Sequence, residues 1–501
     1  MKQALTVVAL AILTAPVGGR AMARQTASPS TDACAALTSI AMPASKATLA
    51  EARDVPLSPT NRAFSAAICR VQLLLAPSAD SEIKVEIWLP VSGWNGKYQA
   101  VGNGAFTGTI NYSAMAAALR RGYAVSSTDT GHTGGGAAWA LGHPEKVIDF
   151  GYRAVHEMAG AAKRVITAYY RSAPRLSYWN GCSAGGRQAM MEAQRFPDDF
   201  DGVIAGAPGL DWTGRAAQAN RIAKVLEANS SARLTEDHRE LLHNAVLDAC
   251  DALDGVKDGL LENPDRCTFD PGALACKGTD TRGCLTPTQI DTARMIYSSP
   301  VNPRTGRRIA GLARGSERGW TDLGWTASAR ATGLDQFRYL VFGDAGWTVE
   351  KFDFDIDIVR AEERDAGTIN ALDANLEPFI RRGGKLLHYH GWSDPQISPG
   401  SSVQYYTRVV EALGDASRVD SAYRLFMAPG MGHCGGGTGP NTFDMLGALE
   451  QWVEAGKAPD SILASQSLAG GDRTRPLCPY PKVAVYRGTG SPNDAKNFAC
   501  K

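Results

Sequence analysis

An α/β fold built on a mostly parallel sheet is what this sequence predicts, on three observations. Short apolar strand patterns alternate with helical stretches over residues 83–205, the same rhythm resumes near residue 376, and a glycine-rich turn joins one strand directly to a helix. A chain of 501 residues has room for one large decorated domain or two to three smaller ones. Its 52 Lys and Arg nearly cancel 51 Asp and Glu, so no basic footprint for nucleic acid emerges. With 44% apolar residues, this is an ordinary globular composition.

The elements follow in order. Residues 1–23 read as a secretory signal peptide: Lys2 is the positive end, residues 4–17 are apolar apart from Thr6 and Thr14, and Ala21-Met22-Ala23 offers a cleavage site. The run is shorter than the ~20 residues a membrane span needs, so export to a periplasm or the exterior is expected and an anchor is not. Period-2 alternation at Ile83, Val85, Ile87 and Leu89 predicts a strand ending at Pro90. Further strands are expected at 98–101, 123–129, 176–179 and 202–205, with helices at 114–121, 152–170 and 186–195. From residue 211 the rhythm breaks for ~150 residues holding four cysteines. We read 211–366 as an inserted domain between two parts of one core, 24–210 and 367–501. A helix at 376–382, stopped by Gly383-Gly384, and strands at 385–390 and 423–427 complete the sheet.

Gly181-Cys182-Ser183-Ala184-Gly185 matches G-x-S-x-G between a strand and a helix. In a nucleophile elbow such a turn projects the serine hydroxyl over the sheet edge. A tight structural turn is the alternative, and the strand before with the helix after favours the nucleophile. The partners then follow in the order serine, acid, histidine. Of eight histidines, His433 alone lies well beyond the next sheet strands, in a glycine-rich loop, and Asp394 sits just past the strand ending at His390. His388 and His390 are rivals, but within a strand a histidine is more often packed or hydrogen-bonded; His132 is a weaker rival able to line the pocket. Ser183 and Asp394 are 211 residues apart, where one or two βα units need ~30–60, and the surplus is the insertion.

The ten cysteines are an even number without any C-x-x-C pair, which suits disulfides in an oxidising compartment and not a zinc knuckle. Cys182 precedes the candidate nucleophile and Cys434 follows the candidate base. A bond between them would staple serine to histidine, since bridged Cα atoms stand within about 7 Å; pairing of each elsewhere is the alternative. In the insertion, Asp251, Asp254 and Asp258 fall three and four residues apart among tight-turn glycines. Three carboxylates with two carbonyls suit Ca²⁺ better than Mg²⁺, although the loop is not an EF-hand and a solvated acidic turn closed by Cys250 and Cys267 reads equally well.

Five stretches together resemble the tannase/feruloyl esterase family, which includes the bacterial mono(2-hydroxyethyl) terephthalate hydrolase. They are the Gly181 to Gln188 turn, Phe200-Asp201-Gly202-Val203-Ile204-Ala205-Gly206-Ala207-Pro208, the acidic loop, Gly391-Trp392-Ser393-Asp394 and Pro429-Gly430-Met431-Gly432-His433-Cys434. The resemblance implies an α/β-hydrolase fold with a large lid domain, a Ser183–His433–Asp394 triad and a Cys182–Cys434 bond. It also implies pairs Cys34–Cys69, Cys250–Cys267, Cys276–Cys284 and Cys478–Cys500. A structural Ca²⁺ in the lid would be held by Asp251, Asp254, Asp258 and the carbonyls of Val256 and Leu260, with no organic cofactor. The oxyanion would be bound by the N–H of Ala184 and of Gly104; many relatives carry Glu where Ala184 stands, and the main-chain N–H is indifferent to that change.

The implied activity is secreted serine esterase action on esters of aromatic acids. Phe337-Arg338-Tyr339 and Trp347 resemble a stretch of feruloyl esterase-like members, which ranks hydroxycinnamate esters first, galloyl esters second and terephthalate monoesters third. A non-catalytic binding module on a hydrolase scaffold is the reading from another class, and the retained Ser, Asp and His argue against it. Acyl transfer to an alcohol is open to the same triad. The sequons at Asn111 and Asn229 matter only in a glycosylating host.

Overall fold

The computed structural model describes residues 31–56, 65–322 and 332–501, together with Met1. The expected signal segment, beyond Met1, lies outside the described residues. Nine strands form one sheet in the order β1-β2-β3-β5-β4-β6-β7-β8-β9. Strands β1 (Ser45–Pro56), β2 (Ser65–Leu75) and β3 (Ile83–Pro90) run antiparallel. From β5 (Ala124–Thr128) through β4 (Lys97–Val101), β6 (Leu176–Cys182), β7 (Gly202–Gly206), β8 (Lys385–Gly391) and β9 (Tyr423–Ala428), all pairing is parallel.

Strand alternation splits the core between the two sheet faces. On β4, Tyr98 and Ala100 enter a cluster with helices α2 (Ala154–Tyr170) and α3 (Ala184–Arg195). Val101 enters the opposite cluster, with α1 (Tyr112–Arg120). A helix near the C-terminus, Met445–Ala455, covers that second face beside α1 through Leu446, Leu449 and Trp452. Helix α1 starts at an Asn111 side chain that accepts from the Ala114 N–H at 3.2 Å. Helix α2 follows a π-helical turn, Asp149–Arg153.

The elements differ from the expectation where pairing between strands, not a local pattern, sets them. Strand β6 runs past 179 to Cys182 because pairing with β7 continues through Cys182 opposite Gly206, which carries the chain to the serine without a loop. Strands β1 and β2 were not expected, although Cys69, Val71, Leu73 and Leu75 of β2 alternate inward. The antiparallel meander thus begins before residue 83, and two C-terminal hairpins, Ile462–Leu468 with Gly471–Leu477 and Ala484–Tyr486 with Phe498–Cys500, were also absent from the expectation.

The chain between β7 and β8 leaves the sheet and returns to the adjacent strand. It begins with α4 (Trp212–Ala228), continues through α5 (Glu236–Cys250) and α6 (Pro287–Tyr297), and closes with α7 (Phe354–Asp365). Its apolar side chains form clusters separate from the two sheet faces, one around Leu242, Ile290 and Trp320, another around Phe337, Trp347 and Phe352. The expected boundary at 211 falls at the N-cap of α4, and that at 366 on the left-handed residue ending α7. After β8 come α8 (Pro399–Leu413) and the Met445–Ala455 helix, α9. No helix among the described residues is long and apolar enough to cross a membrane.

Candidate active site

Ser183 stands between the end of β6 and the start of α3 with φ 64° and ψ −121°, a conformation costly for a residue with a side chain. Its neighbours hold it there. The Ser183 N–H donates to Gly206 O at 2.9 Å, and Arg187 N–H to Ser183 O at 3.0 Å. A Cβ on Gly181 would stand 2.5 Å from the Gly185 carbonyl oxygen, so the strand and helix can cross this closely only without side chains. Arg187, fully buried, ties α3 to distant loops by donating to Gly151 O at 2.7 Å and Phe150 O at 3.0 Å.

The three residues distant in sequence meet. Ser183 Oγ lies 2.9 Å from His433 Nε2, and His433 Nδ1 lies 2.7 Å from Asp394 Oδ2. A carboxylate only accepts, so Nδ1 carries the hydrogen and Nε2 is left to accept from the serine hydroxyl. Asp394 Oδ1 accepts from the N–H groups of Gln396 at 2.7 Å and Ile397 at 3.0 Å. Burial alone would raise the Asp394 pKa; the electrostatic pull of the adjoining His433 ring and the hydrogen bonds from His390 and His433 outweigh it and hold the carboxyl well below its usual range. Cys182 and Cys434 are bridged with Cα atoms 6.0 Å apart, on the residues flanking serine and histidine. The other pairs are those the family resemblance implied, and no cysteine among the described residues is free.

The rival histidines take supporting places. His390 Nε2 donates to Asp394 Oδ2 at 3.1 Å and to Ile397 O at 3.1 Å, which leaves Nδ1 to accept from Ser402 Oγ at 2.7 Å. Ser402 in turn accepts from His388 Nε2 at 2.8 Å, and His388 Nδ1 accepts from Tyr423 O–H at 2.8 Å. Every donor along this buried chain has one direction. Burial, then the neighbouring His390, pushes the His388 pKa well down, which agrees with its neutral place there. His390→Ala is expected to lower kcat about 10- to 100-fold, the worth of a hydrogen bond to a charged group, with His390→Gln recovering part of it. Equal kcat in wild type and His390→Ala would reduce this chain to packing. His132 does not line the cavity over Ser183; it is buried, 2.7 Å from Phe106 O and stacked on Trp139.

A cavity of about 770 Å³ opens over Ser183 and His433 and includes residues 102–105. On that loop, Asn103 N–H is committed to Gln188 Oε1 at 3.2 Å, and Gln188 Nε2 donates to Asn103 Oδ1 at 3.2 Å. Gly104 carries the next N–H and, like Ser183, lines the cavity, and Ala184 opens α3, where helix geometry leaves an N–H without an intrahelical acceptor. Gln188 and His390 were not singled out for these positions from the sequence. Gln188 lies in the matched turn, and His390 follows the strand period from His388.

Phe337 and Trp347 stack inside the inserted segment at 5.7 Å between centroids, with Arg338 Nε donating to Trp347 O at 2.6 Å. That stretch packs within the insertion, and Tyr339 borders a separate cavity of about 320 Å³.

In the acidic loop, Asp251 Oδ2 accepts from Gly259 N–H at 2.9 Å, Asp254 Oδ1 from Val256 N–H at 3.1 Å, and Asp258 pairs with the buried Arg475. Among the described residues no three His, Cys, Asp or Glu side chains are gathered into a ready metal cluster. Burial pushes the Asp254 carboxyl up to about 6, with the Asp258 and Asp251 charges adding and the Arg475 charge opposing.

A profile of the family described as tannase and feruloyl esterase matches residues 69–501. The chain is 38% identical to an uncharacterized esterase of Xanthomonas campestris, over 93% of this chain and 91% of the other. It is 36% identical to a probable feruloyl esterase B-1 of Aspergillus oryzae, over 87% and 84%. The crystal structure of feruloyl esterase B from Aspergillus oryzae superposes with a TM-score of 0.87 at 33% identity, covering 94% of this chain and all of that one.

Proposed function

This chain belongs to the tannase and feruloyl esterase family and is a carboxylic ester hydrolase, and from that premise we propose that it cleaves esters of aromatic carboxylic acids by a Ser183, His433 and Asp394 relay. The observation that carries the reading is the unbroken path from Asp394 through His433 to the Ser183 hydroxyl. Ser183 Oγ adds to the ester carbonyl as His433 Nε2 takes its proton. Collapse breaks the bond to the alcohol oxygen, which leaves with the proton from His433, and an acyl-enzyme remains. Water, deprotonated by the same imidazole, then releases the acid. Asp394 stabilises the imidazolium without accepting the proton. The N–H groups of Gly104 and Ala184 stabilise the oxyanion, supported by the commitment of Asn103 N–H elsewhere.

Feruloyl esterase relatives support hydroxycinnamate esters as first choice, ahead of galloyl esters and terephthalate monoesters. Kinetics on methyl ferulate, methyl gallate and the hydroxyethyl terephthalate monoester test this. The expected order of kcat/KM is as written, and equal inertness toward all three defeats the aromatic-acid reading. Segment 211–366 is read as the lid over this site. Five disulfides suit an oxidising compartment and support secretion or a periplasmic home.

Asp251, Asp254 and Asp258, with the carbonyls of Val256 and Leu260, are read as holding Ca²⁺, which would brace the loop and take no part in ester cleavage. EDTA is expected to lower Tm by about 3–5 °C, the effect of removing a ligand held at about 100 times its Kd. Calcium should restore it, with kcat at 20 °C changed less than twofold. Unchanged melting removes the assignment.

A further inference from the structure

The turn that carries Asp394 is closed from two directions. Its own residues fold back on the carboxylate, whose Oδ1 accepts from the Gln396 and Ile397 N–H groups. The inserted segment meets it from the other side. Ser393 Oγ donates to Gly315 O at 2.9 Å, and Ser398 Oγ donates to Gly311 O. A Cβ on Gly319 would stand 2.8 Å from Pro395 Cγ, so the two segments touch where there is no room for a side chain. Arg215, in the first turn of α4, donates from Nε to Gln396 O at 2.7 Å.

That last contact reaches Asp394 through a single peptide group. The Gln396 carbonyl and the Ile397 N–H belong to one planar trans unit and point in opposite directions from it. Arg215 grips the oxygen end, and the hydrogen end donates to Asp394 Oδ1 at 3.0 Å. A cation on one side and an anion on the other polarise the amide in the same sense, which strengthens both bonds. Burial pushes the Arg215 pKa down and the Asp394 charge opposes that, so the two charges are within electrostatic reach. Arg215 is itself anchored at the start of its helix, where the Asp211 side chain accepts from the Gly214 N–H at 3.0 Å and pairs with Arg307.

We propose that Arg215 is a positioning residue for the Ser183 relay, acting from the inserted segment through the 396–397 peptide on the Asp394 carboxylate. The inference rests on the esterase reading of Ser183. Asp394 is fully buried and has to stay ionised and in line with His433 Nδ1, 2.7 Å away. A charged donor fixed to the far end of the peptide that holds its Oδ1 serves both needs. The insertion thereby takes part in forming the relay, apart from any part in covering the substrate.

Arg215→Met removes the donor and the charge together while keeping an unbranched side chain that suits a helix. With turnover read on methyl ferulate and on p-nitrophenyl acetate, it is expected to lower kcat about tenfold, in the range of one hydrogen bond from a charged group, with KM within twofold. Arg215→Lys, which keeps a charge and a donor, should recover part of that loss. The same Met substitution in an Asp394→Ala background separates positioning from packing. With no carboxylate to hold, it should change the residual kcat less than twofold, and comparing the two backgrounds cancels any shared loss of folded protein. A tenfold loss in both backgrounds, or a kcat that Arg215→Met leaves unchanged, overturns the proposal and leaves the esterase reading standing. Arg215→Gln repeats the comparison should the methionine variant not fold, and failure of both to fold overturns it as well, since Arg215 then serves the fold alone. Turnover retained in Ser183→Ala would bring down the esterase reading instead.

Discussion

Ser183→Ala is expected to lower kcat on methyl ferulate and on p-nitrophenyl acetate by about 10⁵-fold, in line with the loss of a serine nucleophile that acts as a unit with its base. The fold should be unmoved. The strained turn is held by main-chain bonds to Gly206 and Arg187 and by the glycine crossing, none of which uses the hydroxyl. Melting within about 1 °C of wild type is therefore the paired expectation, for a change that removes one partly exposed hydroxyl. Adding Asp394→Asn to the alanine variant should cost little more, because the relay has no function without its nucleophile. Retained turnover would sink the triad. A wild-type protein inert toward every ester, with tight binding of an aromatic acid, would instead favour a binding module on a hydrolase scaffold.

The second large effect is expected from Cys182→Ala with Cys434→Ala. The bond closes a loop of 252 residues, for which chain entropy alone gives about 5 kcal/mol, an upper figure because the unfolded chain keeps other cross-links. Stability is half of the expectation. The bridged residues directly adjoin Ser183 and His433, and their Cα atoms stand 6.0 Å apart, so the bond sets the distance across which the hydroxyl and imidazole meet. A displacement of about 1 Å there costs about 10²-fold. The double variant should thus lose about 10²-fold in kcat at a temperature where circular dichroism shows it folded, with KM changed far less. Loss of Tm with kcat intact would make the bond a staple of the fold alone.

These expectations divide according to how far apart the interacting residues are. The turn around Ser183 was legible because its glycines, strand and helix are neighbours in sequence, and the period of each element reports its own buried face. The order of serine, acid and histidine was legible for a similar reason, since each sits just past a strand and strand ends are marked locally. Less was readable at the edges. Strands β1 and β2 alternate, yet their place is set by pairing with β3, and β6 was read three residues short because only its pairing with β7 extends it to Cys182. The role of Phe337 and Trp347 also depended on packing: resemblance marked the stretch, while their stacking on each other and edge-on contact with Phe352 show what it holds together.

Composition, periodicity and turn chemistry in this chain were enough to determine an α/β sheet, a serine elbow, two candidate partners and the cysteines beside them, because each depends on contacts within a few residues. Sheet order decided the rest. Only the adjacency of β6, β7, β8 and β9 lets His388, Ser402 and His390 line up behind Asp394. Such arrangements join residues tens to hundreds of positions apart. Their geometry arises from pairing register and helix packing, which no local pattern encodes.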